Sequence, residues 1–224
     1  SLFEARLGAE EFSRENHIFS PAYTDRDFAQ IVKFCDHIVF NSFTQYERHR
    51  PMLQGVSAGI RINPECPTQN GHEIYDPCRP GSRMGVTRQQ FDGYDFAASG
   101  IEGIHFHTLC EQNADDLERT LQAVEEKFGS FLHQLKWVNF GGGHHITRPD
   151  YDIPRLERLI THIRDNGLSG TGRSGSIAGR LSESYGTGCR AERECYQSDS
   201  GCISCLSHAG CAGNALPATA YGQR

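Results

Sequence analysis

Gly141-Gly142-Gly143 directly follows the apolar run Trp137–Phe140. Three glycines let a backbone approach an anion closely, and their N–H groups can point at a phosphate. A plain tight turn between a strand and a helix reads equally from the same residues. His105 and His107 stand two apart in GIHFHT. Alternate residues of a strand share a face, so the pair can ligate a metal ion, or one ring can stack on a flat cofactor. Core histidines with satisfied nitrogens are the plainer reading. His144 and His145 are adjacent, so their side chains diverge, one toward a site and one toward the surface. Cys110-Glu111-Gln112 comes after the histidine strand, where a thiol or carboxylate can touch a ligand or simply open the next helix. Arg61 lies in the otherwise apolar SAGIRINP, and an arginine inside a strand needs an anionic or polar partner. Ser82 and Arg83 belong to YDPCRPGSRMG, a loop that either reaches over the site or caps the sheet.

The elements that must position these residues alternate along the chain. Periodicity predicts helices over 3–12, 25–35, 43–53, 114–135 and 154–165, with a short one around 88–91. Strands are expected at 17–20, 37–41, 57–63, 103–108 and 137–140, with a Pro-, Gly- and Cys-rich loop over 64–85. Repeated strand–helix units imply an α/β fold with a parallel sheet, either doubly wound or a (β/α)8 barrel. In a barrel, chemistry collects at the strand C-terminal ends. Arg61, His105, His107, Cys110 and Gly141 to His145 all fall there.

The chain has 224 residues, a mass of 25.0 kDa, a net charge of −6, 37% hydrophobic and 22% charged residues. Mild acidity argues against a nucleic-acid binder, which needs a basic face. No apolar run reaches the roughly 18 residues of a membrane span, and no signal-like segment opens the chain. The averages hide a break near Gly167. All six Val, all thirteen Phe, both Met, the one Trp and all three Lys precede it. Residues 167–224 hold eleven Gly, nine Ser and five of the nine Cys, with little to bury against chain entropy. Two units are therefore expected: 1–166, and a tail without a stable fold of its own.

Together, SLFEARLG, FSPAY, DHIVFNSF, GIRINPE, YDPCRPGSRMGVTRQQF, GIHFHTLCEQNADDLERTL and WVNFGGGHHITRPDYD resemble the carboxynorspermidine/carboxyspermidine decarboxylase family. This belongs to the alanine-racemase-like, fold-type III group of pyridoxal-phosphate (PLP) enzymes. The resemblance implies a partial PLP-binding TIM barrel, with the family's C-terminal β domain absent. It further implies a carboxylated polyamine as substrate, a cytoplasmic homodimer, and no membrane or nucleic-acid partner. His107 would stack on the pyridine ring, Gly141, Gly142 and Gly143 would cradle the phosphate, and Arg61 would lie near the phenolic oxygen. Cys110 and Glu111 would add cofactor or substrate contacts. PLP would serve as the electron sink when CO2 leaves.

Two departures accompany the resemblance. The family's Schiff-base lysine belongs near the end of the first barrel strand, upstream of Ser1, and Lys33, Lys127 and Lys136 do not match it. The expected Glu-Pro-Gly-Glu is replaced by GLSGTGRSGSIAGRLSES, whose codons, read one base later, permit Glu-Pro-Gly-Glu. An internal fragment with an out-of-frame tail, itself inactive, is the expectation. A Cys-rich module using Cys189, Cys195, Cys202 and Cys205 is the competing reading of the tail, but its spacings match no common zinc pattern. A disulfide framework does not suit the cytosolic character of the first unit. Other readings of the whole are a metal-dependent barrel hydrolase using His105 and His107, and a non-catalytic fragment.

Overall fold

The computed structural model describes residues 1–11, 15–69, 76–146 and 148–167. Five strands alternate with helices: α1 (Leu2–Glu11), β1 (His17–Phe19), α2 (Asp25–Ile31), β2 (His37–Phe40), α3 (Phe43–His49), β3 (Ser57–Arg61), α4 (Arg88–Asp92), α5 (Phe96–Ser99), β4 (Gly103–His105), α6 (Ala114–Leu132), β5 (Trp137–Asn139) and α7 (Ile153–His162). The strands pair in the order β1-β2-β3-β4-β5, every pair parallel. A doubly wound sheet reverses its strand order at a switch point. This one does not, and the curled sheet is part of a (β/α)8 barrel.

Most helices begin on a side chain that takes one of the N–H groups a first turn leaves over. Thr24, Ser42, Asp95, Asn113 and Asp152 cap α2, α3, α5, α6 and α7, and Thr87 with Gln90 forms a capping box at α4. In α6, Leu117, Leu121, Val124, Phe128 and Leu132 recur every three or four residues and are all buried. On the strands, the alternate residues Ile38, Phe40, Ile60, Ile104 and Val138 are also buried, as are Phe106 and Phe140 just past the ends of β4 and β5. Phe40 meets Phe28 and Tyr46 from the helices, and Phe106 stacks on Phe140. Each such burial contributes about 1.5–3 kcal/mol. The other face of the strands carries His17, Phe19, Val39, Arg61, His105 and Asn139, all of which line an interior cavity.

Several elements are shorter than the periodicity predicts. Beyond Ile31, the Lys33 and Phe34 amides bond three residues back, so α2 tightens and ends before Cys35. β3 stops at Arg61 because Ile62 and Asn63 turn to pair with Val86. β4 stops at His105, not Thr108, because side chains take the next carbonyls: Arg61 that of His107, and Thr68 and Gln69 that of Thr108. The helix α5 was not foreseen, and α7 ends in a wider turn over Ile163–Gly167. Among the described residues no helix is long and apolar enough to cross a membrane. Residues 168–224, with the proposed frame change and Cys189, Cys195, Cys202 and Cys205, lie outside the described residues.

Candidate active site

A cavity of about 930 Å³ opens on the inner face of the sheet. Arg61, the last residue of β3, is 4% exposed. Its guanidinium sits 4.7 Å from the Phe19 ring centroid, and its Nη2 donates to the His107 carbonyl at 3.1 Å. Among the described residues it forms no ion pair with a carboxylate. Burial lowers its pKa to about 10, so it remains a cation at neutral pH.

His105 stacks on Phe19 at 5.2 Å. Its Nδ1 lies 3.1 Å from Asn139 Oδ1, which also accepts the Gly141 N–H at 2.8 Å. An amide oxygen has no proton to give, so His105 Nδ1 is the donor of this bond and carries the proton. Nε2 is then a buried lone pair without a hydrogen-bond partner among the described residues. Burial, with Arg61 and then His107 adding to it, pushes the His105 pKa well below 6.5 and keeps the ring neutral.

His107 lies beyond the end of β4, with its ring 6.5 Å from that of His105 and nearly perpendicular. Its Nδ1 accepts the Gly142 N–H at 3.4 Å, which ties the ring to the glycine loop. Gly141 and Gly143 have φ of 72° and 89°. A Cβ at Gly141 would fall 2.3 Å from the Phe106 carbonyl oxygen, and one at Gly143 would fall 1.9 Å from that of Leu109. The triplet thus serves close backbone packing as well as lining the cavity. Cys110 and Glu111 are exposed at the cavity rim, and Glu111 has a left-handed φ of 58°. His144 and His145 both border the cavity, and His144 Nδ1 meets the Tyr151 hydroxyl at 3.0 Å.

The structure therefore brings Arg61, His105, His107 and Gly141–Gly143 together at one end of the sheet, with Cys110 and Glu111 at the rim. Ser82 and Arg83 form part of the wall, while Asn41 holds the Arg83 carbonyl and the Gly85 amide. No carboxylate joins His105 and His107 into a three-ligand group among the described residues, which leaves the hydrolase reading without a metal site. Lys33 bonds Gln30, Lys127 bonds the Pro64 carbonyl, and Lys136 pairs with Glu102; none lines the cavity.

Sequence reasoning missed Phe19, Asn139 and Asp76. The signal for Asn139 was a lone amide in the apolar WVNF. The buried Asp76 carboxylate accepts the amides of Thr68, Gln69 and Cys78. Gln69 then reaches Gln112 Oε1 at 2.7 Å, so the loop after β3 is bolted to the turn after β4. Asp76 stands in a turn-rich stretch, where nothing in the sequence separates it from a solvated aspartate.

No family model matches the chain. It is 42% identical over 164 residues to a Campylobacter jejuni carboxynorspermidine/carboxyspermidine decarboxylase, covering 73% of this chain and 42% of the relative. It is 45% identical over 156 residues to a carboxyaminopropylagmatine decarboxylase of Synechocystis sp., covering 68% and 39%. The crystal structure of carboxynorspermidine decarboxylase from Campylobacter jejuni, complexed with norspermidine, matches with a TM-score of 0.65 and 37% identity, covering 78% of this chain and 45% of that one. The chain spans less than half the length of these relatives. Over the matched residues, the chain is thus similar to the carboxynorspermidine/carboxyspermidine decarboxylases.

Proposed function

We propose that this chain is the cofactor-binding part of a PLP-dependent decarboxylase that converts carboxynorspermidine and carboxyspermidine to norspermidine and spermidine in polyamine biosynthesis. The observation that carries the reading is the meeting of Arg61, His107 and the glycine loop at the strand C-terminal ends, in a chain related to such enzymes. The donor set fits PLP. The buried Arg61 cation lacks a carboxylate and suits an anionic oxygen; the buried His105 Nε2 calls for a donor; and the loop offers amides where side chains cannot stand.

In this reading Gly141, Gly142 and Gly143 hold the phosphate and the His107 ring faces the pyridine. Arg61 holds the phenolic oxygen, and Cys110 adds a rim contact. Bound PLP supplies the electron sink for the pair left when CO2 departs. The chain's own residues orient the group and exclude water. Neutral His105 braces Asn139, Asn139 fixes Gly141, and Gly142 fixes His107. Glu111, a carboxylate at the rim, suits an ammonium of a polyamine. The cytoplasmic homodimer belongs to the same proposal and rests on the family relation. So does the division into a barrel unit, 1–166, and an out-of-frame tail, 167–224, which sequencing the encoding DNA tests.

The test of function is CO2 release by the full-length protein that carries this barrel. Carboxynorspermidine and carboxyspermidine should be turned over with PLP, and Arg61→Met should lower PLP affinity more than tenfold. Turnover of neither substrate, or unchanged PLP affinity in Arg61→Met, overturns the reading.

A further inference from the structure

The loop after β3 puts two arginines on the cavity wall. Arg79, Pro80, Gly81 and Ser82 form a four-residue turn, in which the Ser82 amide donates to the Arg79 carbonyl at 3.0 Å and Gly81 has φ of 76°. Proline second and a left-handed glycine third make a type II turn, which holds the first and fourth Cα atoms within about 7 Å. Arg79 therefore stands at one end of the turn and Arg83 just past the other. The backbone on both sides is pinned. Asn63 Nδ2 donates to the Pro77 carbonyl at 3.3 Å, and Asp76 Oδ1 accepts the Cys78 amide at 2.7 Å. Asn41 Nδ2 donates to the Arg83 carbonyl and its Oδ1 accepts the Gly85 amide, both at 2.8 Å. Gly85 packs on Arg61, where an added Cβ would lie 3.1 Å from Arg61 Cγ.

The two guanidiniums are left over. Arg48, Arg88, Arg119, Arg148, Arg155 and Arg164 each hold a carboxylate. Arg79 and Arg83 are exposed and line the cavity, and among the described residues neither side chain has an ion pair, a hydrogen bond or a ring contact. Like charges on one turn repel, so the fold gains nothing from this placement, whereas an anion at the cavity mouth does. Arginine grips a carboxylate through two parallel N–H bonds. The turn after β4 brings a charge of the opposite sign, Glu111, to the same cavity. The mouth thus offers cations to a carboxylate and a carboxylate to an ammonium.

We propose that Arg79 and Arg83 form a carboxylate-recognising pair at the cavity mouth, which selects carboxylated polyamines over the polyamines made from them. The inference rests on the decarboxylase reading and adds the residues that tell substrate from product. Carboxynorspermidine carries amines and one carboxylate; norspermidine keeps the amines alone. The pair attracts the first and repels the second, so loss of CO2 turns attraction into repulsion and favours release. Both arginines are exposed and screened by solvent, and they act on binding: holding the bound substrate lowers KM without raising kcat.

The test uses the full-length protein that carries this barrel, loaded with PLP, and the double variant Arg79→Gln/Arg83→Gln. CO2 release gives kcat and KM for carboxynorspermidine, and competition by norspermidine gives its Ki. The double variant should raise KM about three- to tenfold, with kcat falling less than KM rises. Its Ki for norspermidine should stay level or fall, because two repelling charges are gone. These opposite signs separate charge recognition from damage to the fold, which weakens both ligands. An unchanged KM overturns the proposal. So does a joint rise of KM and Ki, which assigns the arginines to structure or to a contact between subunits. No CO2 release by the unsubstituted protein overturns the decarboxylase reading itself, and the pair's role with it.

Discussion

The buried imidazole of His105 sets the pH response of the inner face. Its folded pKa lies well below 6.5, chiefly through burial. An unfolded chain binds the proton near 6.5 and the folded one resists it, so the unfolded state carries more protons below that value. The stability His105 contributes is full above pH 6.5 and is lost as pH falls from there toward the lower folded value. The slope in that window is at most about 1.4 kcal/mol per pH unit. Urea midpoints should therefore drop between pH 7 and 5.5, and His105→Gln should flatten that drop; an equal slope in both proteins would show that His105 is not responsible. Gly143 supplies a second residue-scale expectation. Alanine there combines left-handed backbone strain of about 1–3 kcal/mol with a Cβ against the Leu109 carbonyl. Gly81, with φ 76° and nothing within 4 Å of its Cβ position, isolates the strain alone. Gly143→Ala should lose more urea stability than Gly81→Ala and also weaken PLP binding. Equal losses would remove the role given to backbone contact.

At the scale of elements, β3, β4 and β5 are joined on the inner face by one large side chain laid over two absent ones. Gly103 pairs with Gly59 on one side and with Trp137 on the other, and the indole fills the space both glycines leave. Overpacking such a contact costs about 1–3 kcal/mol. Gly103→Ala should destabilise by that amount, and Trp137→Leu should relieve part of it. The measurement is a double-mutant cycle of urea stabilities, and additive losses would mean the two positions do not press on each other. Strand glycines carry no mark in a sequence of what crosses them. The shortened β4 has the same origin: the groups that take the His107 and Thr108 carbonyls come from positions 61, 68 and 69. Local pattern extends the strand, and residues some forty positions away end it. The long helix α6 needed no such partner, since its apolar spacing and the Asn113 cap are local and strong.

For the whole molecule, the sheet and its lysines decide what the chain can do alone. Strands β1 and β5 are the ends of the sheet order, each paired on one side among the described residues. Open ladder edges promote association, so sedimentation should show concentration-dependent self-association. The three lysines lie away from the cavity, held by Gln30, Pro64 and Glu102. The 224-residue chain should bind PLP through the phosphate loop without site-specific attachment and should release no CO2 from carboxynorspermidine. Borohydride reduction followed by peptide mass spectrometry checks this. Stoichiometric labelling of one of these lysines, with turnover, would contradict it.

The sequence alone determined the repeating strand–helix order, the parallel sheet and the resemblance to carboxynorspermidine/carboxyspermidine decarboxylases, because periodicity, caps and contiguous motifs are local properties. It also marked Arg61, His105, His107 and Gly141–Gly143, since polar and glycine residues stand out at the ends of apolar runs. The alternation by itself left a doubly wound sheet and a barrel both open, and the resemblance pointed to a partial barrel. The tertiary structure bears the barrel out, because unbroken strand order is a relation among all five strands. The structure alone showed Arg61 over Phe19, the His105–Asn139–Gly141 chain and the Asp76 anchor. Each of these joins residues that are ordinary in their own neighbourhoods. Their meaning comes from burial and from a partner on another strand or loop, and neither is written in a single stretch of chain.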